Sequence, residues 1–449
     1  MSKSIRIRKG LNIRLIGEAQ KVTEKAENAD VYAIRPPNFH GVVPKMLVKA
    51  GENIKAGSPL FYSKINDKIK FCSPVSGEVT EIVRGEKRRI LEVRILPDST
   101  NDFVGQKTWS GGSREDLLET LLSNGLWPFV KQRPYDVIAN PEDQPTAIFV
   151  SSFDTAPLAP DADYTMNEEK KNFQKGLEAL KVLANGKSVH LGYKKGTLLM
   201  SAMQGVEKHE VSGPHPAGNV GVLIHHVHPV NKGEVVWCVG AQDVASIGRV
   251  LSSGKFNVDR LITIAGPRCK NPVYYKATPG MSIKKLVSKH VDGDNVRVIS
   301  GNPLTGEQIC ADGFLGYYDQ QISLLEEGNQ AKFFLTDGWL SPGLKKHSNS
   351  HAYPSWLIGR NKKYDLSTNL NGEERAFVVS GQYEEVFPFD IYPVQLIKSI
   401  MVNDIDKMEK LGIYEIAPED FALCEYVCTS KINVQEIIRD GLDLLIAES

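Results

Sequence analysis

The sequence predicts a multidomain chain of mixed α/β and α+β class: an all-β module, an α/β layer, a small β-rich domain and a helical tail, in that order. Three observations predict it. The 449 residues amount to about three domains of ~150 residues each, enough to bury their cores without staples. Roughly the first 100 residues break into short strands separated by glycine-marked turns. From about residue 113 the apolar spacing lengthens to i, i+3, i+4 and alternates with short apolar runs.

Composition narrows the class before any motif does. Apolar residues make up 41% and charged residues 24% of the chain, which is ordinary for a globular protein and too apolar for a disordered one. Lys plus Arg and Asp plus Glu each number 54, so no overall excess exists to neutralise nucleic-acid phosphates or an anionic bilayer; nucleic acid is not an expected partner. No apolar run reaches the ~18 residues of a membrane span; the runs from Val220 to Ile224 and from Leu444 to Ala447 are core-sized. The stretch Met1 to Gly17 intersperses Lys3, Arg6, Arg8, Lys9 and Arg14 with isoleucines. It alternates like a strand and lacks the apolar core of a signal peptide, so a cytoplasmic location is expected. Six cysteines, Cys72, Cys238, Cys269, Cys310, Cys424 and Cys428, are mostly scattered in apolar surroundings and read as reduced thiols.

The elements follow in order. Val48 to Phe61 and Phe71 to Ile82, with turns at Gly51, Gly57 and Ser73-Pro74-Val75-Ser76-Gly77, resemble the two halves of a biotinyl/lipoyl-like barrel-sandwich. Carrier proteins hold their modified lysine in a Met-Lys-Met setting that is missing here, so no lipoate or biotin is expected, even on Lys64 or Lys68. Amphipathic spacing at Asp116 to Leu122 and Asn172 to Ala184 predicts helices, and the runs Thr146 to Val150 and Val220 to Ile224 read as strands between them, an α/β layer reaching about residue 255. Leu261 to Gly266, a short helix after Pro279-Gly280, and Val296 to Gly306 resemble a small β-grasp domain. Val394 to Met401 and Ile432 to Ile446 are helical by spacing.

Few motifs carry chemistry on their own. Gly186-Lys187-Ser188 fails as a phosphate loop because Lys181 stands where the first glycine belongs, and no Gly-x-Gly-x-x-Gly follows a strand. On a strand, His226 and His228 would share a face; with no third ligand, the region around His209, His215 and His225 to His228 reads as a Gly/Pro loop with partly buried imidazoles, and no metal is expected. A ferredoxin run laid on Pro418 to Thr429 finds cysteine only at Cys424 and Cys428, with Pro418 and Phe421 at the other two ligand positions. Two packed thiols are expected there, and no cluster.

Lys9-Gly10-Leu11-Asn12, Ser212-Gly213-Pro214-His215-Pro216-Ala217-Gly218, Gln242 to Gly248, Ala265-Gly266-Pro267 and Ser300-Gly301-Asn302-Pro303-Leu304-Thr305-Gly306 together resemble the NqrA family, a subunit family of Na+-translocating NADH:quinone oxidoreductases. The likeness runs over essentially the whole chain; Rnf complex C subunits and the flavin subunit of respiratory complex I resemble it more distantly. It implies four domains: a barrel-sandwich at 1–100, a Rossmann-like α/β domain with a vacated flavin site at 101–255, an SLBB-like β-grasp domain at 256–335, and a C-terminal hairpin and helical domain with a degenerate ferredoxin motif at 336–449. Where those distant relatives carry a flavin loop, this chain reads Ser123-Asn124-Gly125-Leu126-Trp127-Pro128-Phe129, and Pro128 offers no backbone donor to a phosphate. The resemblance therefore implies a cofactor-free peripheral subunit, on the cytoplasmic side of the bacterial inner membrane, of a six-subunit complex that includes membrane subunits. NADH, FMN, FAD and iron-sulfur centres would belong to partner subunits, with ubiquinone or menaquinone as substrate and Na+ exported. The isolated chain would have no catalytic residues, and Trp127, Phe129, Arg133 and Tyr135 would be the quinone contacts, with ordinary core packing the alternative for Trp127 and Phe129. The competing readings are an autonomous flavin or iron-sulfur oxidoreductase and a purely architectural subunit.

Overall fold

The computed structural model describes residues 3–330, 333, 335, 336, 338, 340–349, 351–357 and 361–448. Glycine-punctuated strands near the start build two small antiparallel sheets, one ordered Tyr32–Ile34, Ile90–Pro97, Gly77–Arg84, Asn53–Ile54 and the other Pro44–Met46, Pro59–Ser63, Lys70–Cys72. Their inward residues, Leu60, Val79, Val93 and Ile95 among them, are fully buried, and Phe61 stacks on Phe71 at 4.6 Å.

The chain does not begin in this module. Its first strand, β1 (Ser4–Arg6), belongs to a seven-stranded sheet with β2 (Lys131–Arg133), β3 (Val137–Ile138), β4 (Ala147–Ser151), β5 (Ser188–Lys194), β6 (Glu207–Ser212) and β7 (Val236–Gly240), in the order β1-β6-β5-β4-β7-β2-β3. The pairs β1/β6, β6/β5, β5/β4 and β4/β7 are parallel, whereas β2 runs antiparallel to both β7 and β3. Helix α1 (Lys170–Leu183) connects β4 to β5, α2 (Val220–Val227) connects β6 to β7, and α3 (Ala241–Ser253) leaves β7. Both faces of this sheet are covered, which explains its continuous apolar runs. Ile148 and Val150 of β4, with Trp237 and Val239 of β7, join a core shared with α1, α3 and the β module; Ala147, Phe149, Val236 and Cys238 face a second core with α2 and the C-terminal helices. Backbone contact sets the α1–α3 crossing: a Cβ on Gly176 would lie 2.1 Å from the Val244 carbonyl oxygen, and one on Gly248 1.9 Å from that of Asn172.

One expected strand is a helix. The apolar run from Val220 to Ile224 forms most of α2, opened by Asn219 in an extended conformation. Its Val222 and Ile224 are completely buried and Leu223 nearly so, and a short run buried all round carries no periodicity to separate helix from strand. His226 and His228 consequently end a helix instead of sharing a strand face: His226 Nδ1 lies 2.8 Å from the Val222 carbonyl oxygen, and His228 Nε2 lies 3.2 Å from Thr146 Oγ1.

The fourth sheet, six-stranded, is ordered Glu307–Ile309, Val296–Ser300, Gln321–Glu326, Arg260–Ala265, Val273–Ala277, Thr23–Glu24, with helix Lys284–His290 packed into its core through Leu286 and Val287. Its edge strand comes from residues 23–24, so the N-terminal stretch stitches two sheets before entering its own module. Helices α4 (Pro393–Met401) and α5 (Val434–Glu448) pack together at the C-terminal end. No helix among the described residues is long and apolar enough to cross a membrane.

Candidate functional site

The strand order itself marks a site. From β4 the chain moves outward through β5 and β6, then returns to the other side of β4 as β7, so the carboxyl ends of β4 and β7 flank a topological switch point where the two crossovers leave in opposite directions. Ligands of open α/β sheets bind in the crevice at such a point. A cleft of about 210 Å³ lies there, lined by Ser151 to Asp154 at the end of β4, Gly240 to Gln242 at the start of α3, and Gly301, Asn302, Thr305 and Tyr318 to Gln321 from loops and a strand end of the six-stranded sheet. Two modules thus share it. Gln242 joins them, its Nε2 donating to the Leu261 carbonyl at 2.8 Å and to Gln320 Oε1 at 2.9 Å.

The lining chemistry excludes one occupant. Asp154 and Asp319 are its charged residues, and no Lys or Arg lines it. A phosphate placed there would face carboxylates with only the N–H groups of α3 to offset them. This cleft does not fit flavin mononucleotide. Burial raises the Asp319 pKa, against the hydrogen bond its Oδ2 accepts from Ser300 Oγ at 2.5 Å. The hydroxyl and amide side chains of Ser151, Ser152, Gln242, Asn302 and Thr305 supply both donors and acceptors, suited to a neutral ligand carrying carbonyls or hydroxyls.

Two motifs far apart in the sequence meet next to Ser151 of the cleft. Leu11 N–H donates to the His215 carbonyl at 2.9 Å, and His215 N–H donates to Asn12 Oδ1 at 3.0 Å. Gly10, at φ +139°, lies so close that a Cβ there would sit 2.1 Å from the His215 oxygen. Gly218 N–H donates to Thr155 Oγ1 at 3.0 Å, and Ser151 Oγ donates to the Gly218 carbonyl at 2.7 Å. His215 Nδ1 is 3.1 Å from Thr155 Oγ1, and burial lowers its pKa, which favours the neutral imidazole.

The structure distributes the four candidate quinone contacts instead of gathering them. Trp127 is fully buried, donates from Nε1 to the Ala139 carbonyl at 2.6 Å and meets Trp237 edge-on at 5.3 Å. Phe129 stacks on Tyr317 at 5.4 Å, and Tyr318 donates its hydroxyl hydrogen to the Pro128 carbonyl at 2.6 Å, so this end of the segment stands behind the cleft wall. Arg133 pairs in register with Val236, at the opposite end of β7. There it is buried and ion-paired with Asp420; Glu419 accepts from it at 3.0 Å and the Glu415 carbonyl at 2.9 Å. Tyr135 is partly exposed, 6.3 Å from the Tyr414 ring. The preceding loop packs on the β module, where a Cβ on Gly125 would lie 2.3 Å from Cys72 Sγ.

Two other clusters can be judged by geometry. Cys424 and Cys428 are buried beside Pro418 and Phe421, and burial lifts the Cys424 thiol well above its ordinary pKa, so this arrangement does not fit a four-thiolate cluster. His190, Glu207 and His209 bring ligand atoms within 4.8 Å of one another. His209 Nδ1, however, accepts the Lys3 backbone N–H at 3.2 Å, which puts its proton on Nε2, aimed at His190 Nδ1 3.0 Å away. That tautomer directs no lone pair from His209 at an ion.

Family profiles match along the chain: the NqrA N-terminal barrel-sandwich hybrid domain over residues 5–98, the NqrA second alpha/beta domain over 112–256 and the NQRA C-terminal domain over 261–311. The NqrA protein of the Na(+)-translocating NADH-quinone reductase of Marinomonas sp. is 36% identical over 452 residues, spanning 99% of this chain and 99% of that protein. The chain belongs to the NqrA family. The corresponding protein of Hahella chejuensis is also 36% identical, over 98% of both chains, and that of Vibrio atlanticus is 33% identical over 99% of this chain and 100% of its own. Among solved structures, an NAD+-reducing NiFe hydrogenase in the H2-reduced state covers 68% of this chain and 55% of its own at 10% identity and a TM-score of 0.36, too weak a likeness to assign a fold. In family terms the cleft lies where the second alpha/beta domain meets the domain that follows it. Ser151, Ser152, Asp154 and Asp319 escaped the sequence reading because they belong to no motif and two distant segments supply them; the signal available was the strand run ending at Ser151.

Proposed function

We propose that this chain serves as the NqrA component of a Na+-translocating NADH-quinone reductase and contacts quinone at the switch-point cleft. The end-to-end match to relatives bearing that name carries the first part. For the second, the support is a cleft suited to a neutral ring with hydrogen-bonding substituents: it has hydroxyl, amide and carboxyl groups on both walls and no cation to bind a phosphate. Phe129 supports that wall through Tyr317, and Trp127 holds the segment in place. Arg133 and Tyr135 form a second, separate location for a quinone contact at the far end of β7. In this reading NADH, flavin and iron-sulfur chemistry belong to partner subunits of a six-subunit assembly on the cytoplasmic face of the membrane. Residues 1–100, 101–255, 256–335 and 336–449 are the proposed domains, the first lending Ser4–Arg6 and Thr23–Glu24 to the sheets of the second and third. The strand order supports a Rossmann-like second domain, and the paired thiols of Cys424 and Cys428 are the support for a degenerate ferredoxin module in the last.

Titrating the full chain with a short-tailed ubiquinone tests the site. Saturable binding lost in Ala162→Trp, which fills the cleft, and kept in Tyr135→Ala supports the cleft; the reverse moves the contact to the far end. No saturable signal favours a purely architectural role, and flavin or cluster absorption bands in the purified chain favour an autonomous oxidoreductase. Co-purification with membrane subunits separately tests membership of the complex.

A further inference from the structure

Neutral as a whole, the chain does not spread its charge evenly. Between Gly338 and Tyr364 the sequence holds five Lys or Arg and no Asp or Glu. Apart from one 3-10 turn at Pro354–Trp356, the described part of this stretch is irregular and folds on itself. Lys346 Nζ donates to the Gly338 carbonyl and, at 3.3 Å, to the Tyr353 hydroxyl, while Lys362 Nζ donates to the Leu344 carbonyl at 2.5 Å. These acceptors are neutral, no carboxylate among the described residues pairs with Lys346 or Lys362, and Lys345 is exposed beside them. Lys363 is paired with Glu18 at 2.6 Å.

The same loop leaves Leu340, Leu344, Trp356 and Leu357 exposed over roughly half or more of their surface. Large apolar groups exposed singly are ordinary at a surface, but several on one loop are the kind of patch that marks an interaction site. The body grips the loop from behind. His347 Nδ1 lies 3.0 Å from the Tyr426 hydroxyl, Arg14 donates to Asn361 Oδ1 at 2.9 Å, and Leu15 bridges to Tyr364. The anchors hold the loop's base and leave Lys345, the leucines and Trp356 in solvent, with Lys346 and Lys362 half-buried beside them.

Tryptophan and leucine beside lysine, with acid excluded, is the composition of an interfacial element: the apolar groups reach the boundary between headgroups and acyl chains while the ammonium groups meet lipid phosphates. An acidic protein surface would answer the lysines, whereas the four exposed apolar side chains among them favour the bilayer. We propose that the loop carrying Leu340, Leu344, Lys345, Lys346, Trp356, Leu357 and Lys362 is a membrane-surface contact that binds anionic lipid headgroups. It deepens the reading of the chain as part of a Na+-translocating complex, and rests on that reading for its setting.

Cosedimentation of the full chain with vesicles tests it, using phosphatidylcholine alone or with about a third phosphatidylglycerol, at roughly 50 and 500 mM salt. Binding to the anionic vesicles only, weakening steeply with salt, is expected. Lys345→Gln/Lys346→Gln/Lys362→Gln should bind on the order of 100-fold more weakly, about fivefold per charge. Because Lys346 and Lys362 also hold the loop's shape, Trp356→Ser/Leu357→Ser is the second variant. Its altered side chains are exposed, so the melting temperature should stay put while binding falls about tenfold and keeps its salt dependence. Equal binding to neutral vesicles, binding to neither, or undiminished binding by both variants overturns the proposal. So does normal vesicle binding by variants that no longer co-purify with membrane subunits, which would make the loop a protein contact. Lost lipid binding with retained co-purification supports the lipid contact and leaves membership of the complex intact.

Discussion

Trp127→Ala separates a packed ring from a ligand-binding one. The indole is fully buried, its Nε1–H donates to the Ala139 carbonyl at 2.6 Å, and its ring meets Trp237 edge-on at 5.3 Å. Truncating a buried aromatic ring to alanine costs about 3–5 kcal/mol. Within that range the orphaned Ala139 carbonyl accounts for about 1 kcal/mol and the lost aromatic pair for about 0.5–1.5 kcal/mol. Since Ile148, Val150 and Val239 belong to the same core, little collapse into the space is expected and the upper half of the range applies: about 4 kcal/mol, a large part of the ~5–15 kcal/mol that holds a domain together. Urea unfolding of the full chain, followed by circular dichroism and by tryptophan emission, measures it; Trp127→Phe, which keeps most of the ring and drops the N–H, should lose only about 1–2 kcal/mol. Quinone affinity of the folded fraction should be unchanged. A loss below about 1 kcal/mol accompanied by a tenfold or greater fall in quinone affinity would refute the packing argument and make Trp127 a direct contact.

Three further outcomes are expected. Arg133→Met strands the buried Asp420 carboxylate without its partner and should cost about 3–5 kcal/mol, most of it recovered in Arg133→Met/Asp420→Leu; urea midpoints of the three chains check this. Burial, with the His209 ring beside it, lowers the His190 pKa to about 4 from an ordinary 6.5. Burial lowers His209 too, while Glu207 opposes both shifts and His228 adds to that on His190. Between these pH values the unfolded chain binds more protons than the folded one, so stability should fall on acidification from about 6.5 toward 4, by ~2 kcal/mol, and His190→Gln should flatten that slope. An unchanged slope in the variant would remove the pair as the cause. Cys310 is exposed, whereas burial lifts Cys72 and Cys238 to about 12 and Cys269 to about 11. Alkylation of the native chain near pH 8, read by peptide mass spectrometry, should therefore mark Cys310 first; faster labelling of Cys424 or Cys428 would show those thiols to be poised for chemistry.

What could be read from the sequence is what burial on one side imprints locally. The helix expected at Asn172 to Ala184 runs Lys170–Leu183, because Phe173, Leu177 and Leu180 return to one face every three or four residues. The tail helices and the short strands of the β module were legible for the same reason, through spacing and turn residues. Val220 to Ile224 was not, because burial on all sides erases the period. Beyond single elements the record fades. Lys9 to Asn12 and Ser212 to Gly218 were visible as separate motifs, but only folding shows Leu11 and Asn12 hydrogen-bonded to His215. The parallel pairing of Ser4–Arg6 with a strand some two hundred residues away leaves no mark on either segment. Trp127, Phe129, Arg133 and Tyr135 are neighbours in sequence, yet one end of that stretch backs the cleft and the other reaches the C-terminal helices. The cleft is the extreme case, because Ser151, Asp154, Gln242, Asn302 and Asp319 meet only through the strand order and the docking of two modules. Periodicity records which side of a segment is buried; strand order and docking depend on which distant faces bury best against one another, and that free energy belongs to the assembled core, not to any segment read alone.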